Sequence, residues 1–480
     1  MKDMSKSFYT KEFRDKMIVV YLLLFEVHLV LNRIVPITNI IDASNGVVYS
    51  LFAGVGCLLI LQDLFTDRIM FKTKLFPCLV AFLVALGISD FANISYGMTD
   101  NLKTWVWFCI QFFIIFTLIS RLGKEKGEKV IKLFLSVLCA ILTLAVIFSL
   151  LQYVFQIGYL GQIRPGELSR QGFLESRLFG VFSDPNHGAV YSVCIILFLV
   201  YVFFTTKKVY KKVISVSIAV LHFAYVILSG SRTAFITLGV AVAVIAILKT
   251  KNACCKKELG LLPSLLRIAV TTAVSVTVLV VVFTSFKSAL SYVPNMKIHS
   301  EYFESKIESM LVKDDNINDN DGEEIDAEDV LKRDDVIESN ILNNRSKIWF
   351  SYFECLEGSK IITGLSPRNA IAYIKDVYPD GYIAQTNYIA HSDYVAIIAY
   401  TGLLGVLAFL ATLIVSVISI VKKIFSEKEL DDMYIISLSV AVVLLIYGVA
   451  FMDIWFVNTL TGVLFWLALS YVMNSDRISK

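Results

Sequence analysis

The sequence predicts an all-α polytopic membrane protein of about 12 transmembrane helices, with one long extracytoplasmic loop between the ninth and the tenth. Three observations predict it. Of the 480 residues, 56% are apolar and 18% are charged, where soluble globular chains run at about 45–50% and about 25%. Mean hydropathy is +0.69, and apolar runs of roughly 20 residues, enough to cross a bilayer, recur along the chain. Lys and Arg alternate from loop to loop. An ordinary soluble enzyme and a disordered chain are both excluded, because this much apolar surface requires lipid as its solvent.

The predicted spans are 17–34, 47–63, 75–91, 104–120, 133–157, 186–205, 212–229, 232–248, 268–286, 392–421, 433–452 and 454–473. The first follows a basic leader ending at Lys16. Glu26, His28 and Arg33 interrupt it and no small-residue cleavage site follows, so it reads as a retained anchor. Only Met452 and Asp453 separate the last two, which makes that pair a tight hairpin or a re-entrant feature.

Charge sets the expected orientation. With the N-terminus inside, the inner segments hold Lys2, Lys6, Lys11, Arg14 and Lys16, then Arg68, Lys72 and Lys74, then Arg121, Lys124 and Lys126. The pattern continues through Lys207, Lys208, Lys249, Lys251, Lys422, Lys423, Arg477 and Lys480. The short outer segments hold only Lys103, Arg164, Arg170, Arg177 and Arg232. Both termini are therefore expected in the cytoplasm. The net charge of +3 gives no nucleic-acid footprint. Most of the eight cysteines sit in apolar runs and read as small packing residues, without disulfide or metal spacing.

Three regions follow: spans one to nine over 1–286, the extracytoplasmic loop over 287–391, and spans ten to twelve over 392–480. Within the loop, about 301–340 is an acidic insertion containing Asp314, Asp315, Asp319, Asp321, Glu323, Glu324, Asp326, Glu328 and Asp329. It reads as a solvated segment. An EF-hand register built on Gly322 would put Ile317 at the first ligand position, so no calcium site is assigned. Residues 340–362 predict an ordered helix that Arg345 enters after an Asn343 or Asn344 cap, with Ile348, Tyr352 and Cys355 on its packed face.

No P-loop, dinucleotide fingerprint, HExxH or GxSxG motif is present. The informative polar residues gather instead at the outer boundary, in three clusters. Residues 161–187 place Arg164, Arg170 and Arg177 on the side that avoids basic residues. Asp184 then reads as an N-cap before Pro185, with Asn186 and His187 opening the sixth span. Guanidinium forks suit phosphate and stay charged near lipid. The second cluster, Ser229-Gly230-Ser231-Arg232-Thr233, is a tight turn at which Ser231 caps the eighth span. The helix N-terminus beside Arg232 makes an anion pocket. In the third, His391 stands where the loop enters the tenth span, before Ser392, Asp393 and Tyr394. A neutral imidazole there suits accepting a proton from a hydroxyl, held by a neighbour such as Asp393. Each residue alone also fits a plainer role as an interfacial anchor or cap.

Taken together, these residues resemble the bacterial O-antigen ligase and polysaccharide polymerase superfamily, the Wzy and WaaL type. The matching pieces are Arg177 with Asp184-Pro185-Asn186, then Ser231-Arg232-Thr233, then Arg345 with Trp349, then Gly364, then His391 leading to Gly402 and Gly405. They cover roughly residues 160–420; the first five spans match only as hydrophobic helices. The chain departs from the family pattern at Ser392, where Asn is usual, at the sparse Gly364-Leu365-Ser366 turn, and in its acidic insertion.

The resemblance implies a metal-independent glycosyltransferase without cofactor. Its donor is a glycan on undecaprenyl pyrophosphate at the outer face of the bacterial plasma membrane. Its acceptor is a hydroxyl of a second lipid-linked glycan, or in the ligases of a lipid core or protein. In that chemistry Arg232 and Arg345 clamp the leaving pyrophosphate and His391 positions or deprotonates the acceptor hydroxyl. Arg177, Asn186, Arg164, Arg170 and Asp184 bind substrate. The expected partners are the lipid-linked donor and acceptor and the bilayer, with room for a chain-length regulator. A repeat-unit polymerase for capsule, O-antigen or a similar surface polymer is the first reading and a ligase the second. A transporter comes third, because no internal repeat is visible and the polar residues crowd one face.

Overall fold

The computed structural model describes residues 10–164, 167–293 and 345–475. The acidic insertion, the Asn343 and Asn344 caps, Lys2, Lys6, Arg477 and Lys480 lie outside the described residues, as does the side chain of Arg164. The elements in order are α1 (Lys11–Leu31), α2 (Val35–Phe65), α3 (Phe76–Ala92), α4 (Thr99–Leu122), α5 (Lys124–Val154), β1 (Gly158–Arg164), β2 (Glu167–Leu174), β3 (Arg177–Gly180) and α6 (Pro185–Thr205). There follow α7 (Val209–Leu228), α8 (Arg232–Lys256), α9 (Leu261–Ser291), α10 (Arg345–Glu354), α11 (Lys360–Thr363), α12 (Ala370–Val377), α13 (Tyr382–Thr386), α14 (Asp393–Ser426), α15 (Asp432–Ala450) and α16 (Leu460–Asn474).

The structure is a mostly helical membrane protein. Each predicted span falls wholly or mostly on a helix. Among the described residues, nine helices are long and apolar enough to cross a membrane, while α3 and α16 are shorter apolar helices. α1 opens with Lys11, Glu12, Arg14, Asp15 and Lys16 and is apolar only from Met17. α4 carries a π-helical stretch at Gln111–Ile115.

Two features depart from the sequence expectation. First, the fold is not purely α at the segment before α6. That segment forms a three-stranded antiparallel sheet in the order β1-β2-β3. Gly172 permits it: at φ 72, a Cβ there would lie 2.0 Å from the Ile157 carbonyl oxygen. Second, the last span begins at Leu460 rather than 454, because residues 451–459 are not helical. Their backbone is held instead by the buried carboxylate of Asp393, which accepts from the N–H groups of Asp453, Ile454 and Trp455 at 3.1–3.3 Å. Thr459 then caps α16 by accepting from Gly462 N–H. The segment is thus a folded-in strap between α15 and α16, and it buries Ile454, Trp455 and Phe456.

Ionic contacts pin the two ends of the bundle. At one end, Arg14 pairs with Asp67 at 2.7 Å, and the buried Arg121 pairs with Asp63, with Asp67 and with Asp15. These join the start of α1, the end of α2 and the end of α4. Lys124 with Asp431, and Lys256 with Glu429, tie α5 and α8 to the α14–α15 turn at the same end. The opposite end carries the sheet, the short helices α10–α13 and the polar clusters.

The loop helices are docked on α3, α4 and α14 by a backbone device. Gly402 interrupts α14 at φ 58, ψ −160, and Gly364 ends α11 at φ 75, ψ −175. Both conformations are close to glycine-only. The break frees two carbonyls of α14: Leu365 N–H donates to Ala399 O at 2.9 Å and Ser366 N–H to Tyr400 O at 3.0 Å. Ser89 of α3 adds a hydroxyl bond to Tyr400 O, and Asn93 donates to Gly364 O. α10 packs through Ile348 and Tyr352, with Cys355 just beyond its end, all three buried.

Candidate functional site

Arg177 opens β3, so the sheet delivers its side chain to the tops of α6 and α7. Its Nε donates to the carbonyl of Ser229 at 2.9 Å and its Nη2 to Asn186 Oδ1 at 3.3 Å. Asp184 caps α6: its Oδ1 accepts from Asn186 N–H at 2.7 Å and from Asn186 Nδ2 at 2.8 Å. Arg177, Asp184, Asn186 and the 229–232 turn therefore form one connected patch. Ser231 caps α8 by accepting from Ala234 N–H at 3.3 Å, and Arg232 follows it, exposed in the first turn of α8.

Arg345 begins α10. Its guanidinium lies 4.7 Å from the centre of the Phe451 ring, which is itself stacked with Tyr447 at 4.4 Å. Burial pulls the Arg345 pKa down, and the negative charge of Asp184 opposes the shift. His391 is partly buried, with φ 48, an uncommon conformation for a residue with a Cβ. Burial lowers its pKa, the Arg345 charge lowers it further, and Asp184 opposes both. Asp184 thus sits close enough to both Arg345 and His391 to act on them, and Arg345 close enough to act on His391. The imidazole is neutral at ordinary pH, as a hydroxyl-binding or proton-accepting group requires.

Not every predicted residue joins this group. Arg170 shares the Phe179 ring with Arg177, but its guanidinium pairs with Glu175 at 2.9 Å in an exposed position. Arg164 lies on β1. Asp393, expected as a partner of His391, turns inward to the 453–455 backbone instead. It is the first residue of α14, and the otherwise unpaired N–H groups of the strap take its carboxylate.

Sequence reasoning missed a second set of polar residues beside the cluster. Arg33, in the α1–α2 turn, meets Asp453 of the strap at 3.5 Å, and His187 of α6 meets the same carboxylate at 2.5 Å. Tyr447 donates its hydroxyl to Asp453 at 3.4 Å. The available signal was positional. Arg33 and Asp453 both stand at span ends on the face where the other charges gather, although the sequence read them as an interruption and a turn.

A cavity of about 330 Å³ lies away from these charges, among α8, α14, α15 and α16. Its walls are apolar and include Leu248, Phe409, Val417, Leu445, Trp455 and Trp466. Trp455 belongs to the same strap as Asp453, so the strap faces the polar cluster with one residue and the membrane interior with another.

The fold and its charged end define a class: a polytopic helical membrane protein with an arginine- and histidine-bearing site at one end of the bundle. Residues 217–410 match the model of the O-antigen ligase family, Wzy_C, so this stretch is similar to that family. The members of that family are glycosyltransferase-like enzymes that act on lipid-linked glycans in a membrane. The matched stretch contains Arg232, Arg345 and His391 and begins after Arg177, Asp184 and Asn186. No curated protein matches the chain.

Proposed function

We propose that the protein is a repeat-unit polymerase. It transfers a glycan from undecaprenyl pyrophosphate to a hydroxyl of a second lipid-linked glycan, at the outer face of the bacterial plasma membrane. The observation that carries the proposal is the juxtaposition of Arg345, His391 and Asp184 beside the Arg177–Asn186 patch, inside and next to the stretch matched to the family.

The chemistry follows from the charges. As the anomeric C–O bond breaks, the pyrophosphate oxygen gains negative charge. Arg345 and Arg232 are assigned to stabilise it, with Arg177 as a third cation and Asp184 and Asn186 beside the substrate. Arg232 is exposed and makes no hydrogen bond or ion pair among the described residues, so its charge is available to an incoming phosphate. The acceptor hydroxyl is assigned to His391, which takes its proton as the oxygen attacks the anomeric carbon. The apolar cavity suits part of the polyprenyl tail. The described part of the loop, over 345–391, would border the site.

The test uses purified protein with a polyprenyl-pyrophosphate oligosaccharide as the only substrate, without nucleotide and with EDTA. A ladder of longer products that disappears in His391→Ala is the expected result. Release of lipid pyrophosphate only when a lipid-core or protein acceptor is supplied would make the protein a ligase instead. No turnover with any acceptor would overturn both.

A further inference from the structure

His187 stands in the first turn of α6 and takes no part in the assignment above. Its Nε2 contacts Asp453 Oδ2 at 2.5 Å, while Asp453 Oδ1 faces Arg33. A carboxylate set between a guanidinium and an imidazole holds the imidazole proton on the nitrogen that faces it. In the neutral ring the other nitrogen, Nδ1, is then an acceptor. That Nδ1 is buried and has no partner among the described residues. A role limited to bracing Asp453 uses Nε2 alone and leaves Nδ1 as an unmade hydrogen bond, which a folded protein rarely tolerates without a use.

The surroundings say what the use is. His187 lies 5.9 Å from the Phe451 ring, the ring over which Arg345 sits. It is also three residues from Asp184. Its side chain retains 13% exposure, so it lies at the edge of the charged site. The other groups around it are Arg33 and Tyr447, both engaged with Asp453, and Tyr191, which stacks on His187 and whose buried hydroxyl has no partner among the described residues. An Nδ1 acceptor, which the ring offers only while Nε2 alone carries its proton, suits neither a phosphate nor a carboxylate. It suits a hydroxyl.

We propose that His187 forms a glycan-hydroxyl subsite. Nδ1 accepts a hydrogen bond from a hydroxyl of the acceptor sugar, and Asp453 and Arg33 fix the ring in the tautomer that allows it. The subsite rests on the polymerase reading and is distinct from the attacking hydroxyl, which is assigned to His391. His187 orients the sugar next to it.

Two near-isosteric replacements separate this from a bracing role. His187→Asn keeps a polar group near the Nδ1 position and gives up Asp453. His187→Gln reaches toward Asp453 and gives up the Nδ1 position. Each is assayed with lipid-linked repeat unit extracted from the host at saturating concentration, with the delipidated oligosaccharide varied as acceptor. Membrane abundance and thermal midpoint are followed in parallel. The subsite predicts that His187→Gln raises the acceptor KM about tenfold with kcat less affected, the loss expected for one hydrogen bond. His187→Asn stays nearer to wild type. If His187→Gln keeps the wild-type KM while His187→Asn loses thermal stability, the residue only braces Asp453 and the proposal fails. Direct binding of the oligosaccharide to the same three proteins keeps the two readings apart. Binding that discriminates Gln from Asn without any turnover overturns the polymerase and leaves the subsite. Ladder formation with equal KM in all three overturns the subsite and leaves the polymerase.

Discussion

His391 illustrates how much a single side chain depends on neighbours far away in sequence. Its burial and the Arg345 charge lower its pKa from the ordinary imidazole value, which favours the neutral ring. If it is the proton acceptor, activity should persist as pH falls through the ordinary imidazole value of about 6.5 and drop only below it. Asp184 opposes the shift, so removing that negative charge should disfavour the imidazolium further. Asp184→Asn keeps a competent helix cap and should move the acid limb of the pH–rate profile to lower pH; an unmoved or raised limb would remove His391 as the titrating group. Replacing Arg345 with Ala should cost about 10²–10³ in turnover, the scale of one lost charge-stabilising contact in a transition state. Protein abundance in the membrane should be unchanged. Disappearance of the protein would instead make Arg345 structural, a stacking partner of Phe451 alone.

Among elements, the informative junction is the pair of glycine breaks at Gly364 and Gly402. Each holds a backbone conformation that a Cβ resists, and at Gly402 a Cβ would approach the Ile362 carbonyl oxygen to 2.5 Å. Gly402→Ala should therefore cost about 1–3 kcal/mol from the backbone alone. The loop helices should loosen from α14, which a fall in the thermal midpoint in detergent and increased proteolysis near 359–366 would register. Gly405→Ala is no control, since a Cβ there meets Thr401. Gly54→Ala is one, because the space beside it is open. These glycines were visible in the sequence as spacing, but their cause was not. Hydropathy gives helices of the right number of apolar turns, and it placed a helix at each predicted span. It cannot register that a freed carbonyl on α14 is repaid by an N–H from a loop far earlier in the chain. The β1–β3 sheet was hidden for a similar reason: its strands are short, charged and turn-rich, and their stability comes from cross-strand pairing. The strap at 451–459 reads as apolar helix because its N–H groups are satisfied by Asp393, a residue on another helix.

On the scale of the molecule, the charges sort by end. The salt bridges of Arg14, Arg121, Lys124 and Lys256 gather at one end, and the site residues gather at the other. By the loop-charge rule the first end is expected inside, because short cytoplasmic loops retain Lys and Arg during insertion. That assignment decides whether the site meets substrate delivered to the outer leaflet, so it carries the functional proposal and can be tested apart from it. Glu175, in the exposed β2–β3 turn, and Lys428, in the exposed α14–α15 turn, mark opposite ends of the bundle. A cysteine at either position should react with a thiol reagent from only one side. Five of the native cysteines are buried and all eight are unpaired, so the background falls on Cys57, Cys78 and Cys255. Glu175→Cys should be labelled in intact cells or spheroplasts by a membrane-impermeant maleimide. Lys428→Cys should be labelled only after permeabilisation. The reverse pattern would put Arg345 and His391 on the cytoplasmic side, where the lipid-linked donor of a polymerase is not presented as a finished repeat unit at the outer leaflet. The proposed reaction would then fail on topology, whatever the geometry of its residues.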